Sequence, residues 1–201
     1  MIHERQASSK EFADKAWVPN SWSPDYIGNE TIRTLGKSET AVTCSLDAAK
    51  ALYPQSDIQG VSSFESACDA VLSGEASFFL VPVAYPKLNS FLMDTRLTIA
   101  DYRIRPIPPL VLVGKKAFGN KAEFETIYLH PATEPLLKTS AIKYVNLDFC
   151  SSNEDVVERL GNANSETGGI TNLMAASMAG FTPILTLRPE APMGWFLLKR
   201  V

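Results

Sequence analysis

The sequence predicts an α/β protein built as two small lobes around a hinged cleft, and three observations predict it. Strand-like and helix-like segments alternate along most of the 201 residues, which is the signature of βα units. The apolar run Ala76 to Val83 follows a short amphipathic helix bearing Phe64, Ala67, Val71 and Leu72, and a strand that is continuously apolar is one buried on both faces. Leu97 to Val113 is extended, too long for an ordinary strand, and stiffened by Pro106, Pro108 and Pro109; it reads as a crossing between lobes.

The elements follow in order. Residues 1 to 30 carry isolated aromatics (Trp17, Trp22, Tyr26) without helical or strand period and read as an extension lying on the body or on a partner. A strand is expected at Thr31 to Gly36, a helix at Ser45 to Leu52 after the polar start Thr43-Cys44, and a strand at Ile58 to Val61. Ser62-Ser63 opens a helix ending at Leu72, Ser73-Gly74-Glu75 breaks it, and Phe78 to Val83 is the next strand.

After the crossing, strands are expected at Thr126 to His130, Ile142 to Phe149 and Gly168 to Thr171. Helices are expected at Glu134 to Ser140, Asn153 to Leu160 and Asn172 to Ala179, with final strands at Pro183 to Leu187 and Trp195 to Lys199. Lobe 1 is therefore about 31–105 plus 184–201, and lobe 2 about 106–183. Neither repeats nor low-complexity tracts interrupt the pattern.

Composition narrows the function. A net charge of −3 and the lack of a Lys/Arg cluster argue against nucleic acid, whose binders neutralise phosphates. Cys44, Cys68 and Cys150 are odd in number and form no Cys-x-x-Cys, so neither a disulfide framework nor a metal site is expected. Met1 to Lys15 has no apolar core of a leader, and no segment reaches the roughly 18 apolar residues of a membrane span. These features predict a cytoplasmic protein without a membrane or metal partner, acting on a small molecule; a homodimer is compatible with them.

The carboxyl end of a buried strand is where such sheets place ligands, so Pro82 to Lys87, with Ala84 and Tyr85, is the first candidate site. Helices starting at Thr43-Cys44-Ser45, Ser62-Ser63, Pro131-Ala132-Thr133, Ser151-Ser152-Asn153 and Thr171-Asn172 would offer N–H groups and dipole ends to a carboxylate, although the same residues are the commonest ordinary caps. Arg103 and Arg105 lie two apart and share one face of an extended strand, as an anion clamp or as a solvated edge. His130 ends an apolar strand before Pro131. Cys44, at a helix start, could be a nucleophile with His130 as base or a small buried apolar residue. No carboxylate pair, phosphate loop or dinucleotide fingerprint is present.

From Thr31 to the C-terminus the order and spacing of motifs resemble prephenate dehydratase domains. Thr43-Cys44-Ser45-Leu46-Asp47-Ala48-Ala49 is similar to their Thr-Phe-Ser-x-x-Ala-Ala opening, Leu80-Val81-Pro82 to the strand before their cleft, Leu129-His130-Pro131 to their Ser-His-Pro, and Gly169-Ile170-Thr171-Asn172 to a late strand-to-helix step. Their Gly-Pro-x-Gly is replaced by the longer Gly36 to Val42, and no regulatory ACT domain is expected. Where they have Val-Pro-Ile-Glu-Asn-Ser, this chain has Val81-Pro82-Val83-Ala84-Tyr85-Pro86; where they have the catalytic Thr-Arg-Phe, it has Met193-Gly194-Trp195.

These departures resemble a narrower group, the non-aromatising prephenate decarboxylases of bacilysin-type pathways. Their Pro-x-Ala-Tyr is matched by Pro82-Val83-Ala84-Tyr85, their Phe-Arg by Tyr102-Arg103, and their Pro-Met-Ser-Trp by Pro192-Met193-Gly194-Trp195. The resemblance implies the bilobal fold of dehydratases and type II periplasmic binding proteins. It implies a cofactor-independent lyase that takes carbon dioxide from prephenate in biosynthesis of a peptide antibiotic or related secondary metabolite. It implies Tyr85 as proton donor or hydroxyl orienter, or as packing of the cleft wall. Met193 would be the residue that has no proton to give.

Thr43, Ser45 and Arg103 would anchor the pyruvyl carboxylate, with Ala84, His130, Thr171, Asn172 and Trp195 completing the substrate site. The alternatives are a true dehydratase making phenylpyruvate, a catalytically dead ligand-binding module, and a decarboxylase for another carboxylated cyclohexadiene, the last suggested by Gly194 and by the changed Gly36 to Val42 loop.

Overall fold

The structure is a computed structural model that describes residues 28–36, 43–115 and 123–201. Residues 1–27 of the expected extension 1–30 and most of the Gly36 to Val42 loop lie outside the described residues. Two five-stranded sheets carry the fold.

The first sheet is built from β1 (Thr31–Leu35), β2 (Asp57–Val61), β3 (Phe78–Pro82), β4 (Leu97–Ile107) and β10 (Ala191–Arg200), in the order β2-β1-β3-β10-β4. β1 pairs in parallel with β2 and β3, while β10 runs antiparallel to β3 and β4. The second sheet holds β5 (Leu110–Gly114), β6 (Glu123–Leu129), β7 (Lys143–Phe149), β8 (Thr167–Asn172) and β9 (Pro183–Arg188), in the order β7-β6-β8-β5-β9. Here β6 is parallel to β7 and β8, and β5 is antiparallel to β8 and β9. Both sheets thus follow one plan: three parallel strands with the middle one first in sequence, then an antiparallel strand contributed by a crossing.

Helices α1 (Cys44–Leu52), α2 (Phe64–Ser73) and α3 (Leu88–Leu92) belong to the first half; α4 (Glu134–Lys138), α5 (Asn153–Asn162) and α6 (Leu173–Met178) belong to the second. Local sequence explains their starts. Thr43 Oγ1 accepts from the Leu46 N–H at 3.1 Å, Ser63 Oγ from Ser66, Ser152 Oγ from Asp155 and Asn172 Oδ1 from Ala175, each relieving an orphan donor of the first turn. α2 stops at Gly74, whose φ of +84° is left-handed, a conformation that costs glycine little.

The apolar run of β3 is explained by burial on both faces. Phe79 and Val81 pack with α2 and α3, whereas Phe78 and Leu80 pack with α1, Trp195 and Leu197. In the second sheet β5 does the same, with Leu112 facing Leu137 and Ile170 while Val111 and Val113 face Leu160 and Ala176.

Gly169 lets α5 sit directly on β8, and Gly168 makes room for the Phe124 ring of β6. A Cβ on Gly169 would stand 2.8 Å from Val156 and 3.4 Å from Leu160, and one on Gly168 would stand 2.7 Å from the Phe124 ring. Because Val156 and Leu160 are fully buried, Gly169→Ala is expected to cost about 1–3 kcal/mol by overpacking. Urea unfolding checks this: the midpoint falls at unchanged slope, and an unchanged midpoint would mean that α5 has slack to move.

The expected crossing is present as β4 and β5, joined through Pro108 and Pro109. One placement differs. Residues 184–190 were expected in lobe 1, but β9 pairs with β5 in the second sheet, so the return crossing comes later, at Pro189-Glu190. The alternating pattern marks β9 as a strand but holds no information about which sheet accepts it. α3 was not expected either; it has no side-chain cap and is held by burial of Leu88 and Phe91.

Candidate functional site

The carboxyl ends of the parallel strands and the starts of three helical segments converge on one cavity of about 320 Å³. It lies between the two sheets. Leu35 and Pro82 border it from the ends of β1 and β3, His130 and Ser151 from just beyond β6 and β7, and Met193 and Trp195 from β10. Thr43, Cys44 and Ser45 open α1 there, Ala132 and Thr133 belong to a 3-10 turn, and Ser152 and Asn153 open α5.

The lining is apolar at its walls and short of acid. Leu35, Ile107, Leu110, Leu136, Met193 and Trp195 supply the walls. Among the described residues, Arg188 is the one charged side chain of the lining and no Asp or Glu borders it. Arg188 ends β9, and its Nε donates to the Glu190 carbonyl at 3.2 Å, which ties the guanidinium to the return crossing. With three helical starts aimed at the same space, the potential favours an anion.

His130 is a neutral donor. Its Nδ1 accepts from the Ala132 N–H at 3.2 Å, so the ring proton sits on Nε2. Burial holds its pKa below the ordinary histidine value. Trp195, 1% exposed, is fixed by donation from Nε1 to the Arg105 carbonyl at 3.2 Å.

Seven of the ten sequence-derived site residues border the cavity: Thr43, Ser45, Ala84, Tyr85, His130, Met193 and Trp195. Three do not, and each has another task. Arg103 Nε donates to Asp101 at 2.7 Å. Asp101 is 3% exposed and also accepts from the Tyr53 hydroxyl and the Tyr102 N–H; a buried carboxylate of this kind requires a cation beside it. Arg105, on the same face of β4, pairs with Asp47 of α1 at 3.3 Å. The two arginines share a face as expected, but they serve lobe 1 internally.

Thr171 and Asn172 frame the second lobe. Thr171 Oγ1 donates to the Asn153 carbonyl at 3.0 Å, and Asn172 caps α6. Asn153 and Asn172 also point their amides at the Cys44 sulfur from 3.5 and 3.6 Å. Burial pushes the Cys44 thiol up to about 11, outweighing the helix start, so it remains protonated and is no nucleophile at neutral pH.

Of the roles open to Tyr85, that of proton donor is the one its hydrogen bond opposes. Tyr85 borders the cavity, but its hydroxyl donates to Glu65 at 2.7 Å, so the phenol proton is already committed. Gly194 has a packing explanation: a Cβ there would stand 2.6 Å from the Tyr102 hydroxyl and 2.7 Å from Val83. It therefore reports on packing between β4, β10 and the turn after β3.

Arg188 is the residue that sequence reasoning missed. The strand-end rule that pointed to Tyr85 points equally to Arg188 once β9 is placed in the second sheet.

No protein-family model matches the chain, and no curated protein matches it. Solved structures share its fold. A prephenate dehydratase from Arthrobacter aurescens in complex with L-Phe matches with a TM-score of 0.62 and 18% identity over 85% of this chain and 60% of that one. The prephenate dehydratase of Staphylococcus aureus matches with 0.58 and 17% over 85% and 66%. A methionine-binding protein matches with 0.52 and 14% over 89% and 84%. The chain thus spans about two thirds or less of the dehydratase chains. The likeness is one of fold, a bilobal α/β architecture used by dehydratases and small-molecule binding proteins alike. No described helix is long and apolar enough to cross a membrane.

Proposed function

We propose that the protein is a carbon–carbon lyase that removes carbon dioxide from prephenate and leaves the ring hydroxyl in place. The observation that carries this reading is the lining of the cavity, which among the described residues holds a single guanidinium, three helical starts, an apolar wall and no carboxylic acid. Aromatising loss of the hydroxyl needs a proton delivered to the leaving oxygen. By the motif resemblance, Met193 stands where dehydratases carry their catalytic Thr, and a thioether has no proton to deliver.

In the proposed reaction the bond from the ring to its carboxylate breaks and carbon dioxide leaves. The electron pair enters the ring diene, which takes up a solvent-derived proton at a ring carbon, while the carbon–oxygen bond stays intact. The product is a dihydro-4-hydroxyphenylpyruvate. The diene itself accepts the electrons, so the step requires no cofactor.

Arg188, with the starts of α1 and α5, holds the pyruvyl carboxylate. Met193 and Trp195 face the ring and keep water from it. The ring carboxylate is held less firmly, since stabilising its charge in the ground state opposes its loss. Such a product suits the cytoplasmic synthesis of a non-proteinogenic amino acid or peptide natural product.

The same acid-poor lining also suits a module that holds the ligand without turnover, as the shared fold of binding proteins allows. Incubation with prephenate separates the readings. Carbon dioxide release with a non-aromatic product supports the lyase. Phenylpyruvate as sole product would mark a dehydratase, and a thermal shift without turnover over hours would mark a binding module.

A further inference from the structure

We infer that Glu65 is a positioning residue that fixes Tyr85 as a hydrogen-bond acceptor, so that the phenol cannot protonate the substrate hydroxyl. This rests on the proposed decarboxylation and names what protects the carbon–oxygen bond during it.

A phenol has one proton to donate. In Tyr85 it goes to Glu65 Oε1 at 2.7 Å, and Lys87 Nζ donates to the same oxygen at 2.9 Å. Glu65 stands in the first turn of α2, where the helix dipole favours a carboxylate. The Tyr85 and Lys87 hydrogen bonds hold its pKa below the usual carboxylate range. It therefore remains an ionised acceptor near neutral pH, and the direction of the hydrogen bond is set.

The ring cannot swing away to re-aim its hydroxyl. It is tilted against Phe64, with centroids 4.7 Å apart, and lies nearly parallel to Phe91 at 5.9 Å. The turn carrying it is held by the Tyr85 N–H on the Pro82 carbonyl and the Leu88 N–H on the Tyr85 carbonyl, both at 3.0 Å. Burial and Glu65 both push the Tyr85 pKa up. What Tyr85 can offer a ligand is thus a lone pair. A ring hydroxyl donating to it is oriented, and no proton travels back to expel the oxygen as water.

Removing Glu65 should change the product as well as the rate. In Glu65→Ala the freed phenol can donate to the ring hydroxyl. Water then leaves together with carbon dioxide, and phenylpyruvate forms. Its share of the product is expected to rise roughly tenfold or more over the wild type. Adding Tyr85→Phe should remove that share again, a reversal that simple loosening of the turn would not produce.

Glu65→Gln, which keeps an acceptor carbonyl, should give a smaller share than Glu65→Ala. The Glu65 side chain is 43% exposed, so these variants are expected to fold, with circular dichroism as the check. An unchanged product ratio in Glu65→Ala, or an aromatic share that survives Tyr85→Phe, would overturn the inference while the decarboxylation itself stands. Wild-type protein that makes only phenylpyruvate would overturn both.

Discussion

Arg188→Ala is expected to raise the KM for prephenate roughly 10- to 100-fold with little change in kcat, as removal of a charge-assisted anchor used equally in ground and transition states does. The reason is the distribution of charge around the cavity. Arg188 is the charged side chain that borders it among the described residues, and no other guanidinium there can replace it. Arg103→Ala is the matched control. Its guanidinium serves the buried Asp101, so its loss should lower stability by about 1–3 kcal/mol, a range already reduced because Arg103 is one-third exposed, and leave KM near the wild-type value. A raised KM for Arg103→Ala together with an unchanged KM for Arg188→Ala would mean that the substrate carboxylate lies elsewhere.

Met193→Thr is expected to divert part of the turnover to phenylpyruvate. The substitution places a hydroxyl on the cavity-facing side of β10, beside Trp195, where the resembled dehydratases carry Thr. A well-placed proton donor contributes on the order of 100-fold or more to expulsion of a leaving group, enough for a minor path to become visible. The loss of a half-buried thioether should also cost about 1–2 kcal/mol. Chromatography of the products with circular dichroism of the variant separates the two effects. A folded variant that makes the wild-type product alone would show that Met193 does not control the outcome.

Much of the fold was legible because its signals are local. The apolar run of β3 announced burial on both faces, and Thr43, Ser63, Ser152 and Asn172 each cap the helix that their polar character suggested. Strand ends pointed to Ala84, Tyr85 and His130, and all three border the cavity. What stayed hidden depends on pairing between distant segments. The shared face of Arg103 and Arg105 could be read from their spacing, but their commitment to Asp101 and Asp47 could not, since it depends on how β4 and α1 meet.

Tyr85 was found, yet the direction of its hydrogen bond is set by Glu65, twenty positions earlier in the chain. Cys44 sits at a helix start, which lowers a thiol pKa. Burial beside Asn153 and Asn172 reverses that local tendency, and burial is a tertiary property.

The central claim is that the ring carbon–oxygen bond survives the loss of carbon dioxide. Prephenate carrying ¹⁸O in the ring hydroxyl tests it most directly, by mass spectrometry of the product. The account predicts release of carbon dioxide and full retention of the label in a non-aromatic keto acid. Appearance of the label in water with formation of phenylpyruvate would contradict it.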